Sequence, residues 1–234
     1  TKGNENLTLN FHHNKLNMYA DYSYYWGKDF IELSVSGHYL DPMTLKPLEL
    51  RKDFDSDINR QYKGHYIKTG VDYDLSEKIA IGTYFSSSWL NRNKQEVTVS
   101  DFFNNDKTQS DSTLTALSTP DYSYTNIIGG ANMIYKFAKT GKWDASFDYQ
   151  LFNQEDNHLT GIHPVKGDTL SGITNGDIKI YSGQTNLSYD ISDKFGITTG
   201  LKSVFVHISS DALYKNLIAG DWREDSDLSS SFAY

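Results

Sequence analysis

The stretch Tyr73-Asp-Leu-Ser-Glu-Lys-Ile79 returns later in the chain as Tyr189-Asp-Ile-Ser-Asp-Lys-Phe195. In each copy a Ser-acid-Lys core, short and polar enough for a tight turn, separates two stretches of alternating apolar and polar residues. This arrangement predicts a β-hairpin, because the strands on both sides of a tight turn pair antiparallel. Weaker copies lie around Lys139-Thr-Gly-Lys142 and His13-Asn-Lys15. Short turns are therefore predicted near residues 14, 77, 140 and 193, in a series of similar hairpins.

Four longer segments alternate with these turns. They are rich in Asp, Asn, Ser, Thr and Gly and show no sustained period, so they are predicted to be loops: 41–59, 100–121, 153–176 and 215–228. Connections in compact soluble domains usually have about 4–6 residues. Outer-membrane barrels instead combine short periplasmic turns with long external loops. The alternation therefore predicts a membrane barrel with these four loops outside the cell.

The composition is compatible with such a barrel. The chain has 234 residues, 17 of them Tyr, and an interface between lipid and water suits a ring that is part apolar and part polar. No run approaches the 18 or so apolar residues of a spanning helix, and the mean hydropathy of −0.58 is typical of soluble proteins. A membrane strand escapes this test because only alternate residues face lipid. The net charge of −8, without a basic cluster, argues against nucleic acid as a partner.

The alternation is clearest after the third short turn. One set of side chains there is apolar and is predicted to face lipid, while the other is polar and is predicted to face a lumen. A tilted membrane strand needs about 9–11 residues, whereas a soluble strand averages about 5–6. The lipid-facing set is Trp143, Ala145, Phe147, Tyr149 and Leu151, and the polar set is Asp144, Ser146, Asp148 and Gln150.

Aromatic residues near the short turns are predicted to form part of an interface girdle on the periplasmic side. The alternative is that they belong to the core of an ordinary β-sandwich. The predicted girdle consists of Tyr73, Tyr135, Trp143, Tyr189 and Phe195. In the last hairpin Val204, Val206 and Ile208 fall on the face opposite the apolar set, and we predict that they lie above the membrane or against other protein.

The connectivity predicts about eight to nine strands that belong to a larger barrel. If short turns are periplasmic, the strand at 6–12 begins outside the cell, whereas a complete bacterial barrel starts and finishes on the periplasmic side. We therefore predict an all-β, antiparallel up-and-down transmembrane β-barrel, present as a partial segment of a larger barrel. A self-contained eight-stranded barrel is the alternative.

Several phrases resemble the outer-membrane β-barrel domain of TonB-dependent receptor-like proteins from Bacteroidetes. They are Asn6-Leu-Thr-Leu-Asn-Phe11 leading into Asn17–Tyr24, Gly70–Lys78, Leu187–Asp190 followed by Gly200–Lys202, and Asp225–Tyr234. The resemblance implies a wall segment of a transporter that imports nutrients such as chelated iron or oligomers. It also implies a periplasmic plug, the energy-coupling TonB system and, for some members, a surface lipoprotein as partners.

The search for catalytic, cofactor and metal sites predicts none. Asp53, Asp55, Asp57 and Asn59 have the odd spacing of a calcium loop, but Ile58 stands where the loop needs Gly, so a solvated loop is preferred. The acidic group of the last loop has the same interpretation: Asp221, Glu224, Asp225 and Asp227. Aromatic residues of the predicted loops either stack on ligands or anchor the loops: Phe102, Phe103, Tyr122, Tyr124 and Trp222.

Three functional classes follow from these observations. The first is a TonB-dependent importer, in which the chain supplies lipid-facing wall, lumen lining and external loops. The second is a surface barrel of the outer membrane that binds or adheres without transport. The third is a soluble all-β module, for example one that binds carbohydrate, in which the apolar faces pack together.

Overall fold

The computed structural model describes residues 1–104, 109–163, 169–192, 194–218 and 221–233. Ten antiparallel strands form a single sheet in these ranges. The strands are β1 (Lys2–His13), β2 (Leu16–Leu40), β3 (Pro47–Asp74), β4 (Ile79–Asn104), β5 (Ser112–Ser118), β6 (Asp121–Phe137), β7 (Gly141–His163), β8 (Thr169–Ser192), β9 (Phe195–Ile218) and β10 (Asp221–Ala233). No helix in the described part of the chain is long and apolar enough to cross a membrane.

Each strand pairs with its neighbour in the chain, with one interruption. Strands β5 and β6 together occupy the place between β4 and β7, separated by Thr119 and Pro120. Pro120 has no N–H for the ladder, yet its carbonyl accepts from Lys94 N at 3.0 Å, and Thr119 N donates to Leu159 O at 2.9 Å. Within the described ranges β1 and β10 pair with one neighbour each, so the sheet is open at both edges.

The Ser-acid-Lys turn works through its serine. Ser76 Oγ accepts the backbone N–H of Lys78 at 3.2 Å and of Ile79 at 3.1 Å, and Ile79 N also donates to Ser76 O at 3.3 Å, so both donors are satisfied within the turn. The equivalent Ser192 Oγ accepts from Lys194 N at 3.4 Å, while Asp193 of that turn lies outside the described residues. Asn14, in the first turn, has a positive φ of 51°, a conformation that Asn tolerates well.

The four segments predicted to be long loops are mostly strand. Residues 47–59, 100–104, 112–118, 153–163, 169–176, 215–218 and 221–228 pair in the sheet, and 105–108, 164–168 and 219–220 lie outside the described residues. The prediction was wrong because it took a composition rich in Asp, Asn, Ser, Thr and Gly as the sign of a loop, whereas these residues also pair in strands. Polar side chains stabilise such pairing by hydrogen bonds across the strands: Ser34 Oγ donates to Asp55 and Ser36 Oγ to Asp53, both at 2.5 Å.

The sheet has hardly any core of its own. Phe103, with 8% of its surface exposed, is the only buried hydrophobic side chain within the described ranges, while large apolar side chains on every long strand are exposed. The alternative of a sandwich core for the aromatic residues lacks a second sheet in this part of the chain. A water-soluble sheet of this size buries one face. The exposed face therefore requires a nonaqueous surrounding or a further layer of protein.

Candidate functional site

The candidate site is the wall itself, which has two chemically different faces. We call the face that carries Phe147 the outer face and the face that carries Asp148 the inner face. Residues that are cross-strand partners lie on the same face, so the register assigns the paired residues of the other strands to one face or the other. The apolar band comprises the outer-face residues next to the short turns, within 7–11, 16–22, 67–73, 79–87, 127–137, 143–151, 181–189 and 195–205, and none of them is charged.

All five residues predicted to face lipid lie on the outer face of β7. Phe147 is 53% exposed, because its partners on the two flanking strands are the small residues Ala131 and Gly183. Trp143 Nε1 donates to Thr185 Oγ1 at 2.7 Å, so the indole N–H is satisfied inside the sheet. The rings of Tyr149 and Tyr181 are 5.0 Å apart. Ala145, between Trp143 and Phe147, and Leu151, beyond Tyr149, are partly exposed.

The residues predicted to form the girdle also lie on the outer face, close to the short turns: Tyr73, Tyr135, Trp143, Tyr189 and Phe195. Phe137, which was not assigned to the girdle, joins two of them. Its ring is 6.1 Å from that of Tyr135 and stacks on Tyr189 at 6.1 Å with an interplanar angle of 4°. Phe137 follows Tyr135 by two residues and therefore lies on the same face of the strand, so the sequence could have assigned it to the girdle.

A second aromatic row lies at the other edge of the apolar band. Tyr24 stacks on Trp26 at 5.1 Å and lies 4.8 Å from His65, and Trp89 is the cross-strand partner of His65. Along β2 this row is about ten residues from Leu16, which corresponds to about 25 Å of height at the usual tilt of about 40°. The spacing of the two aromatic rows matches the thickness of a membrane's apolar layer. Sequence analysis did not assign this row because polar residues continue beyond it on both faces.

The inner face next to the short turns is hydrogen bonded and charged. Tyr84 Oη donates to Asp148 Oδ1 at 2.7 Å, and Asn186 Nδ2 donates to Asp144 Oδ2 at 2.7 Å. Farther along the strands Asp29 accepts from Arg60 at 2.5 Å and lies 2.8 Å from Lys2 Nζ. Carboxylates in these places need water or polar partners, which a lumen provides.

Tyrosines on the inner face lie flat over glycines of the neighbouring strand. A Cβ on Gly64 would overlap the ring of Tyr25, and one on Gly70 would overlap the ring of Tyr19. Each pair is directly opposite in the ladder, so only glycine leaves room for the ring to cross the partner strand. The same arrangement recurs in the pairs Tyr62 over Gly27, Tyr84 over Gly130, His158 over Gly172 and, on the outer face, Trp26 over Gly3.

The three apolar residues of β9 that broke the pattern lie on the inner face. Val206 pairs with Ile180 and Ile208 pairs with Ile178, on the adjacent strand β8. Together with Val204 they form an apolar patch on an otherwise polar wall, and Val204 is 46% exposed. That they lie above the membrane or against other protein stays a prediction.

The metal and loop hypotheses fall on strands. Asp53, Asp55, Asp57 and Asn59 lie on the outer face of strand β3, so the prediction of a loop was wrong. Extended backbone also cannot wrap around a calcium ion. The acidic residues Asp221, Glu224, Asp225 and Asp227 lie on β10 rather than in a loop. No group of three or more possible metal ligands is found in the ranges that the structure describes.

The aromatic residues assigned to loops are also on strands. Phe102 and Phe103 lie on β4, Tyr122 and Tyr124 on β6, and Trp222 on β10. Several of them contact other side chains of the wall. The guanidinium of Arg51 lies 4.2 Å from the centre of the Phe103 ring, that of Arg92 lies 4.6 Å from Tyr122, and the rings of Tyr124 and Phe152 are 5.6 Å apart.

The turn between β2 and β3 contains an acid whose pKa is lowered by backbone hydrogen bonds. The backbone N–H groups of Thr44, at 2.7 Å, and Met43, at 2.9 Å, donate to Asp41 Oδ1. These bonds favour the ionised form and hold the pKa of Asp41 below its usual value.

Residues 135–234 match the model of the outer membrane protein beta-barrel family. The chain forms part of the wall of an outer-membrane β-barrel. Two features agree with this result: the uncharged outer band between two aromatic rows and the charged inner face, in one antiparallel up-and-down sheet. The predictions of fold class and of localisation in the outer membrane are confirmed.

Solved structures resemble the chain only weakly. The ferric yersiniabactin uptake receptor FyuA from Yersinia pestis is 13% identical, with a TM-score of 0.37, over 99% of this chain and 40% of that one. The chain thus spans 40% of the length of that receptor. A structure described as a trapped toxin has a TM-score of 0.14 at 8% identity, covering 97% of this chain and 88% of its own. These similarities carry no argument, and no curated protein matches the sequence.

Proposed function

We propose that the chain is part of the barrel wall of a TonB-dependent outer-membrane receptor that imports a nutrient ligand, of the type found in Bacteroidetes. The observation that carries the proposal is the contrast between the two faces of one sheet. An uncharged outer band suits lipid, and the hydrogen-bonded carboxylates of the inner face, such as Asp144 and Asp148, suit an aqueous lumen. A wall this polar inside is suited to surround a solvated passage.

In this proposal Trp143, Ala145, Phe147, Tyr149 and Leu151 contact lipid, and the girdle near the short turns lies at the periplasmic boundary. The far parts of the strands project from the cell surface, because the longest strand, β3, has 28 residues and about 9–11 suffice to cross the membrane. The partners are outer-membrane lipid, the rest of the barrel with its plug, the TonB system and a surface lipoprotein. Nucleic acid is not among them.

The orientation is tested by introducing single cysteines into this chain, which itself contains none, with the protein that lacks the introduced cysteine as the labelling background. In whole cells that carry the full-length protein, an impermeant maleimide should label a Thr44→Cys variant, in the turn between β2 and β3. It should not label Glu77→Cys, in the short turn, until the outer membrane is opened. The reverse result would contradict the proposed orientation.

Transport is tested separately by uptake. Cells that carry the full-length protein should accumulate ⁵⁵Fe from at least one ferric chelate, or a labelled sugar oligomer, and should lose that uptake when TonB is deleted. Uptake that persists without TonB would contradict energy coupling. Surface binding without uptake of any such ligand would favour the second class, an outer-membrane barrel that binds or adheres.

A further inference from the structure

A groove of about 530 Å³ lies on the outer face, at the edge of the apolar band farther from the short turns. Two adjacent cross-strand rows form its floor. The first row is Trp26, Lys63 and Asn91, and the second is Lys28, Gln61 and Asn93. The groove thus begins where the uncharged band ends.

The two lysines of the groove are unpaired. Lys28 and Lys63 are exposed, and neither side chain makes an ion pair or hydrogen bond with the part of the chain that the structure describes. By contrast, Lys2 and Lys94 lie 2.8 Å and 2.6 Å from carboxylate oxygens. Lys28 and Lys63 are diagonal neighbours across β2 and β3, so their Cα atoms are about 7–8 Å apart. At this separation the two ammonium groups can contact the same phosphate.

Acidic groups are kept away from these lysines. No carboxylate lines the groove, and Asp29, next to Lys28 in the chain, faces the inner side, where it pairs with Arg60. Outer-face acids lie outside the groove: Glu5 is opposite Tyr24, Asp121 is opposite Asn93, and Glu32 is opposite Asp57, four residues beyond Lys28 along β2. Within the groove itself the charged side chains are therefore the two lysines of β2 and β3.

The other lining groups favour a glycolipid over a simple anion. The stacked rings of Tyr24 and Trp26 suit the boundary between acyl chains and head groups. The amides of Gln61, Asn91 and Asn93 can donate to and accept from sugar hydroxyls. Below them the apolar band continues without a charge, so a ligand held at the lysines can lay its acyl chains on the wall.

We propose that this groove binds a phosphorylated glycolipid of the outer leaflet, with its phosphate between Lys28 and Lys63, its sugar on Asn91 and Asn93, and its acyl chains along the apolar band. The inference rests on the proposed orientation, in which this edge of the band lies at the outer leaflet.

The test uses the full-length protein in detergent and native mass spectrometry with bisphosphorylated lipid A as the probe. Wild type should retain the lipid, and Lys28→Gln/Lys63→Gln should bind it at least about tenfold more weakly, because each lysine near an anionic surface contributes about fivefold. The matched control, Lys136→Gln/Lys202→Gln, makes the same change of charge on exposed inner-face lysines and should bind as wild type does.

Two further probes decide the source of the phosphate. Lipid A without phosphates and phosphatidylethanolamine should both bind about tenfold more weakly than the bisphosphorylated lipid. Equal binding of all three lipids, or equal loss in the two double variants, would overturn the proposal. Displacement of the lipid by inorganic phosphate at similar concentration would assign the lysines to free phosphate instead and would also overturn it.

Failure of this inference is distinguishable from failure of the proposed function. The lysine pair is on the outer face, away from the lumen, so TonB-dependent uptake should persist in the Lys28→Gln/Lys63→Gln variant. Loss of glycolipid binding with intact uptake in that variant supports the inference. Cysteine labelling that reverses the orientation would overturn the glycolipid site whether or not uptake is observed.

Discussion

The same strands have different outer surfaces in their two halves. Near the short turns the outer face is an uncharged apolar band, whereas beyond the row of Tyr24 and Trp89 it mixes charged and apolar residues. On β7 the change occurs within one strand, between Leu151 and Glu155. Backbone pairing is continuous across the boundary. Backbone hydrogen bonding therefore determines how far the strands extend. The side chains of the outer face determine which part of the strands can contact lipid.

The largest expected effect contrasts one strand in the two halves. Phe147→Arg, in the centre of the apolar band, should reduce the free energy of unfolding by about 2–4 kcal/mol, because it places a charge in lipid. Leu159→Arg is the matched control on the same strand and face, with 45% exposure against 53% for Phe147, and should change stability by less than about 0.5 kcal/mol.

Urea titration of the full-length protein refolded into lipid vesicles measures both variants. If Leu159→Arg proves as destabilising as Phe147→Arg, the lipid-facing part of β7 extends past Glu155, the charged residue at which we end the apolar band. If neither matters, Phe147 does not face lipid.

A smaller effect is expected on the inner face. Gly64→Ala should cost about 1–3 kcal/mol, because its Cβ would displace the ring of Tyr25 from the partner strand. Gly183→Ala, at an open outer-face position of β8 where an added Cβ meets nothing within 4 Å, is the control and should be neutral or slightly stabilising. The same urea titration applies, and equal effects would show that close packing of rings over glycines does not stabilise the wall.

The inner hydrogen bonds should contribute less individually. Tyr84→Phe removes the 2.7 Å bond to Asp148 and should cost about 1 kcal/mol. Tyr66→Phe, another inner-face tyrosine, whose hydroxyl has no hydrogen-bond partner in the described part of the chain, should cost nothing measurable. A double-mutant cycle with Asp148→Ala, which removes the acceptor, isolates the pair, and a coupling energy near zero would contradict the assigned bond.

The smallest effect concerns the turn at Asp41. Its lowered pKa means that the turn is stabilised by the carboxylate above the ordinary Asp pKa of about 3.9, and that this stabilisation is lost as pH falls through the lower folded value. Asp41→Ala, which removes the acceptor oxygen, should already lack it at neutral pH. Hydrogen exchange of Met43 and Thr44, corrected for intrinsic rates, should show the loss of protection, and equal protection in both proteins at pH 7 would contradict the cap.

Sequence alone predicted the features that depend on local chemistry. The antiparallel up-and-down fold class followed from repeated turn phrases and from alternation at Trp143–Leu151, and the placement of the predicted girdle residues on one face followed from period two. It failed where local chemistry does not distinguish strand from loop. Residues 51–59 were predicted to be loop from their polar composition, yet their backbone pairs with both neighbours, with Asp53, Asp55 and Asp57 on the outer face and Phe54 and Ile58 on the inner face.

What the sequence determined by itself is therefore the strand period and the face of each residue, because side chains alternate whatever the partner strand. Only the tertiary structure decided which strands continue beyond the apolar band, which tyrosine crosses which glycine, and which lysines lie together without an acid. These depend on register, and register joins residues as distant in the chain as Tyr84 and Asp148.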